Sequence, residues 1–596
     1  MQSAPAPVQT EIQLEQAPSH SPLSPPLPQR PGERLLWGQL YGAAAALAIA
    51  SAARQAKQPI IALVADMQAA TGLLAELGFF LHGEDLPVLG FPDWETLPYD
   101  VFSPLPELVS ERLLTLHRLP MLTRGILVVP VGTLLQRLPP RDYVDGHSLV
   151  LSIGDRLDLD RTRQRLARSG YQCVSQVIAH GEFAVRGALL DIFPMGSTQP
   201  LRIDLFDDEI ETIRTFDPDS QRSVDKLEQV RMLPAREFPF TDEAISGFRQ
   251  RWRATIDADP KASIIYREVS EGRMPGGIDY YLPLFFEHTA TLFDYLPDAT
   301  LAFESADARD AAQTAFDAIA ARYEQRRYDT ERPLLSPRSL YLAPDELAGR
   351  LNTLAGVCWQ SPEVAQRRKG YNAVCNFATG TLPALAIQAR AAEPAATLNA
   401  FLAQSGRRSL IVAESTGRRE LLTDNLRGFR IQPSAVNDWR DFAGGDLPLA
   451  ITVAPLDQPL LLEREGIALI TETQLYGEKI RQERRRKSRE RDGEAVVRNL
   501  TELHEGAPVV HEEHGVGRFL GLQTLDIAGN RTEFLALQYA RGDKLYVPVS
   551  SLHLISRYTG AAEDNAPLHR LGGEQWDRIK KKAAQKAHDV AAELLD

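Results

Sequence analysis

Three cysteines in 596 residues, Cys173, Cys358 and Cys375, lie scattered without motif spacing, so the sequence holds no disulfide framework and no thiolate metal cage. They read as buried thiols of a cytoplasmic protein. No apolar run approaches the roughly 18 residues needed to cross a bilayer, which excludes a membrane partner of that kind. Met1 to Arg30 lacks the positive start and apolar core of a signal peptide. Positive charge is not in excess either. A net charge of −13 excludes a chain built throughout for general nucleic-acid binding. The phosphate-binding pattern G-x-x-x-x-G-K-[ST] is also missing. Gly38-Gln39-Leu40-Tyr41-Gly42 is followed only by alanines. That run has no lysine for phosphates and no hydroxyl for magnesium, leaving helix-terminal amides as a weak phosphate site at most.

What remains is the composition of an ordinary globular protein, 44% hydrophobic and 24% charged, long enough for roughly four domains. Residues 1–30, rich in Pro, Ser and Gln, read as a disordered tail. From 31 to 147, an Ala-rich helix (43–57) and buried strands at 59–66 and 125–130, each leading into a helix, predict a doubly wound α/β domain. The helix after the second strand is expected to run through Arg137. Between 148 and 233 short alternating strands such as Leu201 to Phe206 predict an inserted α+β module. Helical patterns dominate from Phe238 to about Gly370, in the second part of the first domain (234–375). A small α/β domain (376–478) carries strands at 409–414 and 466–471. A charged linker (479–497) includes KIRQERRRKSRER, which reads as a solvated helix or linker and alternatively as a DNA contact. Residues 498–571 hold several short strands with Gly turns and predict a small β-barrel, with Pro548 at an edge or strand end. An amphipathic helix follows at 572–596, uncapped at Asp596, as expected of a chain cut before another domain.

His511-Glu512-Glu513-His514 has the look of a zinc-protease signature, but helical zinc ligands need a spacing of four and here it is three, with Gly515 and Gly517 following. As strand residues the two histidines would point to opposite faces. Asp207-Asp208-Glu209 reads as a turn after a strand rather than an acidic catalytic cluster. No catalytic triad can be assembled by spacing. The chain by itself does not read as an enzyme.

Three long motifs, in order, carry a family likeness. DWETLPYD continuing VFSPLPELVSERLLTLHRL resembles the excision-repair protein UvrB and, more closely, the transcription-repair coupling factors. GEFAVRGALLDIFPMG with LRIDLFDDEIETIRTFDPDSQRS is similar to the module of that family that corresponds to the UvrA-binding domain of UvrB. VVHEEHGVGRFLGLQTL with DKLYVPVSSLHLISRYTG and NAPLHRLGG resembles the polymerase-interacting domain shared with the CarD family. The resemblance implies a degenerate, ATPase-dead nucleotide fold at the start, a Tudor-like barrel, and a relay helix at the end. It implies that Arg186, Arg202 and Phe206 meet UvrA, and that Arg518, Thr524 and Leu525 meet the β subunit of RNA polymerase. It places ATP, magnesium and double-stranded DNA in a translocase motor beyond Asp596. The expected role is an adaptor in transcription-coupled nucleotide excision repair. The alternatives are a UvrB-type excision-repair ATPase and a CarD-like regulator. Residue spacing adds that Arg202 and Phe206, four apart on one strand, share a face, and that Arg186 reaches it if its strand pairs. The competing expectation is that Phe206 is core and each Arg pairs internally with Asp204 or Asp207.

Overall fold

Continuous apolar runs become the centre of a parallel sheet. The computed structural model describes residues 20–476, apart from 219, 366, 389, 390, 392 and 405, and then 506–511, 514–527, 530–548, 555–557 and 568–570. These fall into two units, Met1–Lys479 and Ile480–Asp596. The charged stretch 479–491 and the helix expected at 572–596 lie outside the described residues.

In the first unit seven parallel strands form one sheet, in the order Ala373–Asn376, Arg34–Gly38, Gly356–Trp359, Leu301–Ser305, Ile60–Val64, Ile126–Pro130, Val88–Gly90. The all-buried Ile60–Val64 and Ile126–Pro130 suit a sheet covered on both faces. Helix Met67–Phe80 starts where the Asp66 carboxylate accepts from the Ala69 amide at 2.8 Å. Helix Pro106–Arg118 starts on a proline, whose missing N–H would have had no partner there.

Three expectations are corrected. The helix after Pro130 stops at Leu134 instead of reaching Arg137, because Arg137 donates its amide to the Leu340 carbonyl and Gln136 bridges Tyr341. Cys173 is exposed on a short strand and is not the buried thiol expected, unlike Cys358 and Cys375. Helices do dominate from Phe238 to Gly370, with Leu301–Ser305 and Gly356–Trp359 returning to the middle of the sheet. The tail is not loose throughout: His20 bridges Phe377, its amide donating to the Asn376 carbonyl at 2.8 Å and its carbonyl accepting from the Ala378 amide at 2.9 Å. A free sheet edge offers those backbone groups to any nearby segment.

The inserted module leaves and rejoins this domain through two antiparallel strands, Leu149–Ser152 and Gln229–Met232. Its own sheet has six strands, in the order Ser223–Leu227, Glu209–Phe216, Leu201–Phe206, Leu189–Ile192, Glu182–Arg186, Gln172–Cys173. One buried core runs from the parallel sheet (Ile61, Leu127) through the helix Pro106–Arg118 (Leu113) into the module (Phe183, Leu190, Ile203). The small α/β domain has a five-stranded sheet, Ser434–Ala435, Leu449–Val453, Arg408–Ala413, Ile467–Thr471, Leu460–Leu462, antiparallel only at its last strand. No helix among the described residues is long and apolar enough to cross a membrane.

The second unit contains a five-stranded antiparallel sheet in the order Lys544–Pro548, Asn530–Gln538, Gly515–Ile527, Pro508–His511, Ile555–Arg557. Pro548 ends a strand at the margin of this sheet, where its missing N–H breaks no internal ladder. Between strands, Arg541 takes a left-handed conformation (φ 68°) in a tight turn.

Candidate functional site

Strand Leu201–Phe206 alternates strictly between core and surface. Leu201, Ile203 and Leu205 are buried, while Arg202, Asp204 and Phe206 occupy the other face. Pairing carries that face across the sheet: Arg186 lies opposite Leu189, and Leu189 opposite Asp204. One row further along, Ala184, Asp191, Arg202 and Arg214 are successive partners. Arg186, Arg202 and Phe206 therefore share the module's outer face, as strand alternation predicts.

Their environments differ sharply. Phe206 is 75% exposed, which overturns the core alternative: the hairpin turn at Asp207 and Asp208, with Asp207 left-handed at φ 58°, ends the strand before anything covers the ring. Asp207 to Glu209 thus turn the chain, as the sequence suggests. Arg202 is paired internally, but with neither Asp204 nor Asp207. Its Nε and Nη2 donate to the two Asp191 carboxylate oxygens at 2.7 and 2.8 Å, because register sets those residues side by side. Hydrogen bonding to Asp191 raises the Arg202 pKa further. Asp204 is taken by Arg214 and by the Thr212 hydroxyl, the latter at 2.7 Å. Burial pushes the Asp204 carboxyl up, but these bonds and the nearby arginine charges outweigh it and hold the group below its usual range. Arg186 donates to the Ser175 carbonyl. An open depression of about 400 Å³ separates Arg186 from Arg214, floored by Leu189, Asp204 and Thr212. The face is an alternating array of carboxylates and guanidiniums with one bare aromatic ring beside it.

At the start of the parallel sheet, strand Arg34–Gly38 feeds helix Ala44–Gln55, the place where a nucleotide phosphate would meet helix-terminal amides. Here the amides of the loop leading into the helix face the chain itself, and Ala44 at the helix start donates to the Tyr41 carbonyl at 3.1 Å. Gln39 N–H donates to the Pro362 carbonyl (3.0 Å), Leu40 N–H to Gln360 (3.3 Å), Tyr41 N–H to the Thr379 hydroxyl (3.2 Å) and Ala43 N–H to the Pro459 carbonyl (2.9 Å). Gly42 is left-handed at φ 57°, and a β-carbon there would run into the Pro459 oxygen. The small α/β domain thus sits at the head of the helix. Its strand Leu460–Leu462 also bridges Thr379 and exchanges backbone bonds with Ala378 and Gly380.

In the second unit, His511 is buried at the end of its strand and His514 lies just beyond, their ring centroids 4.7 Å apart. They do not point to opposite faces, because Gly515 (φ 76°) already pairs back with His511 as the next, antiparallel strand instead of extending the first. Arg518 donates to the Gly506 carbonyl at 2.9 Å. Thr524 and Leu525 lie on the long strand opposite Glu533 and Thr532. The side chains of those two lie outside the described residues.

Three family models match the chain: the UvrB interaction domain over residues 149–238, the MFD D3 domain over 401–475, and the CarD-like/TRCF RID domain over 503–559. Over 571 residues, 96% of its length, the chain is 44% identical to a transcription-repair-coupling factor of Escherichia coli, covering 49% of that protein. Along nearly its whole length the chain is similar to the transcription-repair-coupling factors. Proteins of the same name from Haemophilus influenzae (42% identical, 96% of this chain and 49% of the relative) and Myxococcus xanthus (30%, 95% and 49%) align equally far. The chain spans about half the length of the curated relatives it matches.

Against that family, Arg186, Arg202 and Phe206 fall inside the UvrB interaction domain, and Arg518, Thr524 and Leu525 inside the CarD-like domain. The structure brings the first three onto one face. Sequence reasoning missed Asp191 and Gln221, which hold Arg202. The signal for Asp191 was a carboxylate in an otherwise apolar strand, LLDI.

Proposed function

We propose that the chain is a two-sided adaptor for transcription-coupled nucleotide excision repair, taking UvrA on the outer face of the inserted module and the RNA polymerase β subunit on the five-stranded sheet of the second unit. The observation that carries it is Phe206, bare beside Arg186 and Arg202 on a domain that matches the UvrB interaction domain. An exposed aromatic flanked by guanidiniums is the composition of an interface hot spot. The second unit's sheet is read as the family's Tudor-like barrel, and the 34–55 segment as a nucleotide fold that has lost its ATPase residues. The amides of the loop before its helix are engaged by the chain's own carbonyls and by the Thr379 hydroxyl, which supports a chain that needs no cofactor. ATP, magnesium and double-stranded DNA belong, in this reading, to a motor elsewhere in the longer proteins. Work on the bacterial chromosome in the cytoplasm follows.

The test is gel-filtration co-elution with UvrA and with the β subunit, run separately. Arg186→Ala with Arg202→Ala should remove UvrA and keep β. Losing two charge-assisted contacts costs several kcal/mol, on the order of 3 or more, enough to dissolve a micromolar complex. Undiminished co-elution of a folded double variant would sink the UvrA assignment.

Leu525→Arg should do the reverse, removing β and keeping UvrA, because an apolar anchor at an interface centre accounts for about 2 kcal/mol or more. If that variant instead melts several degrees lower, Leu525 belongs to the core and the assignment fails. Binding of β without any UvrA by the unmodified chain would favour the CarD-like reading.

A further inference from the structure

Arginine carries five N–H donors in one rigid plane. At Arg202 three of them are committed. Nε–H and one Nη2–H go to Asp191 (2.7 and 2.8 Å), and one Nη1–H goes to the Gln221 carbonyl (3.0 Å). The guanidinium also lies over the buried Phe216 ring, 4.8 Å from its centroid. Asp191 is 2% exposed, so this clamp is rooted in the core. What remains is one hydrogen on each Nη nitrogen, the pair that together fits a carboxylate bidentately. No acceptor takes them among the described residues.

The Gln221 side of the clamp is under backbone strain. Gln221 is left-handed at φ 57°, a region that a non-glycine residue keeps only when its surroundings enforce it. Its side-chain amide donates to the Pro218 carbonyl at 2.7 Å and the Val177 carbonyl at 3.1 Å, and its N–H to Asp217 at 2.7 Å. These three bonds aim the Gln221 carbonyl at Arg202. A solvated surface arginine needs none of this.

We infer that Asp191 and Gln221 are positioning residues for partner recognition, holding Arg202 so that its Nη1–Nη2 edge is presented to one carboxylate of the partner. The inference rests on the UvrA reading and deepens it. The neighbouring Arg214 is held through Nη2 alone, by Asp204, whereas Arg202 is fixed by both Asp191 and the Gln221 carbonyl, and Phe206, two positions past Asp204, supplies the apolar contact next to it. A fixed guanidinium loses less freedom on binding than a mobile one, which is how preorganisation turns into affinity.

The experiment measures UvrA affinity for Asp191→Asn, Gln221→Ala, Arg202→Ala, Arg202→Lys and the Asp191→Asn/Arg202→Ala double, each with its melting curve. Asp191→Asn keeps the shape of the clamp and removes its charge. It should weaken binding roughly tenfold or more. Gln221→Ala, which touches neither buried charge, should weaken it by a smaller but clear factor. Arg202→Lys should be as poor as Arg202→Ala, since charge without a fork is not enough. The double variant should bind no worse than Arg202→Ala alone, because both act through one group. A merely structural clamp would instead give parent-like affinity for folded Asp191→Asn and Gln221→Ala. Parent-like binding by Asp191→Asn, or additive effects in the double, overturns the inference. Should Asp191→Asn fail to fold, Gln221→Ala decides, and parent-like affinity there overturns it. If Arg202→Ala and the Arg186/Arg202 double also bind like the parent, the UvrA reading itself has failed. If they lose binding while Asp191→Asn and Gln221→Ala do not, only the positioning role has.

Discussion

Arg112→Ala lowers the stability of the first unit by about 3–5 kcal/mol, the usual cost of orphaning one member of a buried ion pair. Arg112 has no exposed side-chain surface and Glu237 is 3% exposed. Nε donates to Glu237 at 2.5 Å, Nη2 to the same carboxylate at 3.3 Å, and Nη1 to the Pro92 carbonyl at 2.8 Å. Trp94 adds its indole N–H at 3.3 Å, and the guanidinium lies 4.4 Å from the Phe91 ring centroid. Removing Arg112 leaves a carboxylate in the core with one weak donor. Thermal or urea unfolding reads the loss directly. Replacing both partners, Arg112→Met with Glu237→Met, should recover most of it, since neither charge then needs solvating. A single variant that melts within about a degree of the parent would show that the pair carries no net weight.

Gly42→Val dislodges the small α/β domain from the first. Valine cannot hold φ 57° without strain, and its β-carbon would occupy the position of the Pro459 oxygen. Strain and overlap together cost on the order of 3 kcal/mol. The loss is local. Amide exchange should accelerate at Tyr41 and Ala43, whose bonds join the two domains, while Ile126 to Val129 stay protected. Equal acceleration everywhere, or none at Tyr41 and Ala43, would rule out a docking role for this contact.

Strands that are buried along their whole length declared themselves in the sequence. Ile60–Val64 is an unbroken apolar run, and Arg408–Ala413 and Ile467–Thr471 carry the runs Leu410–Ala413 and Ile467–Ile470; each is followed by a helix, and their periods leave little choice. Leu301–Ser305 did not. It carries Glu304, which is buried because Arg34 from a distant strand and Arg309 from the helix that follows both pair with it. On the outer face of the module, alternation placed Arg202 and Phe206 together, and burial of Leu201, Ile203 and Leu205 agrees. That Arg202 leans on Asp191 was hidden, since the contact depends on register between two strands and not on spacing within one. The bond from the Ala43 amide to the Pro459 carbonyl joins backbone atoms 416 positions apart in the chain, and no side-chain pattern announces it.

The two-stranded stem of the inserted module has a mechanical meaning. An insertion hung on adjacent strands can swing like a flag on its pole unless something else braces it, and separate domains move relative to each other by default. Here the brace is present: the core passes without interruption from Leu127 and Leu113 to Phe183 and Leu190, and Gly196 of the module donates its amide to the Ser110 hydroxyl of helix Pro106–Arg118 at 2.8 Å. The module is a bracket rather than a tether. A pull on the outer face at Phe206 is passed as load into the seven-stranded sheet, with no slack joint to absorb it. Cargo seized there would be towed at a fixed angle.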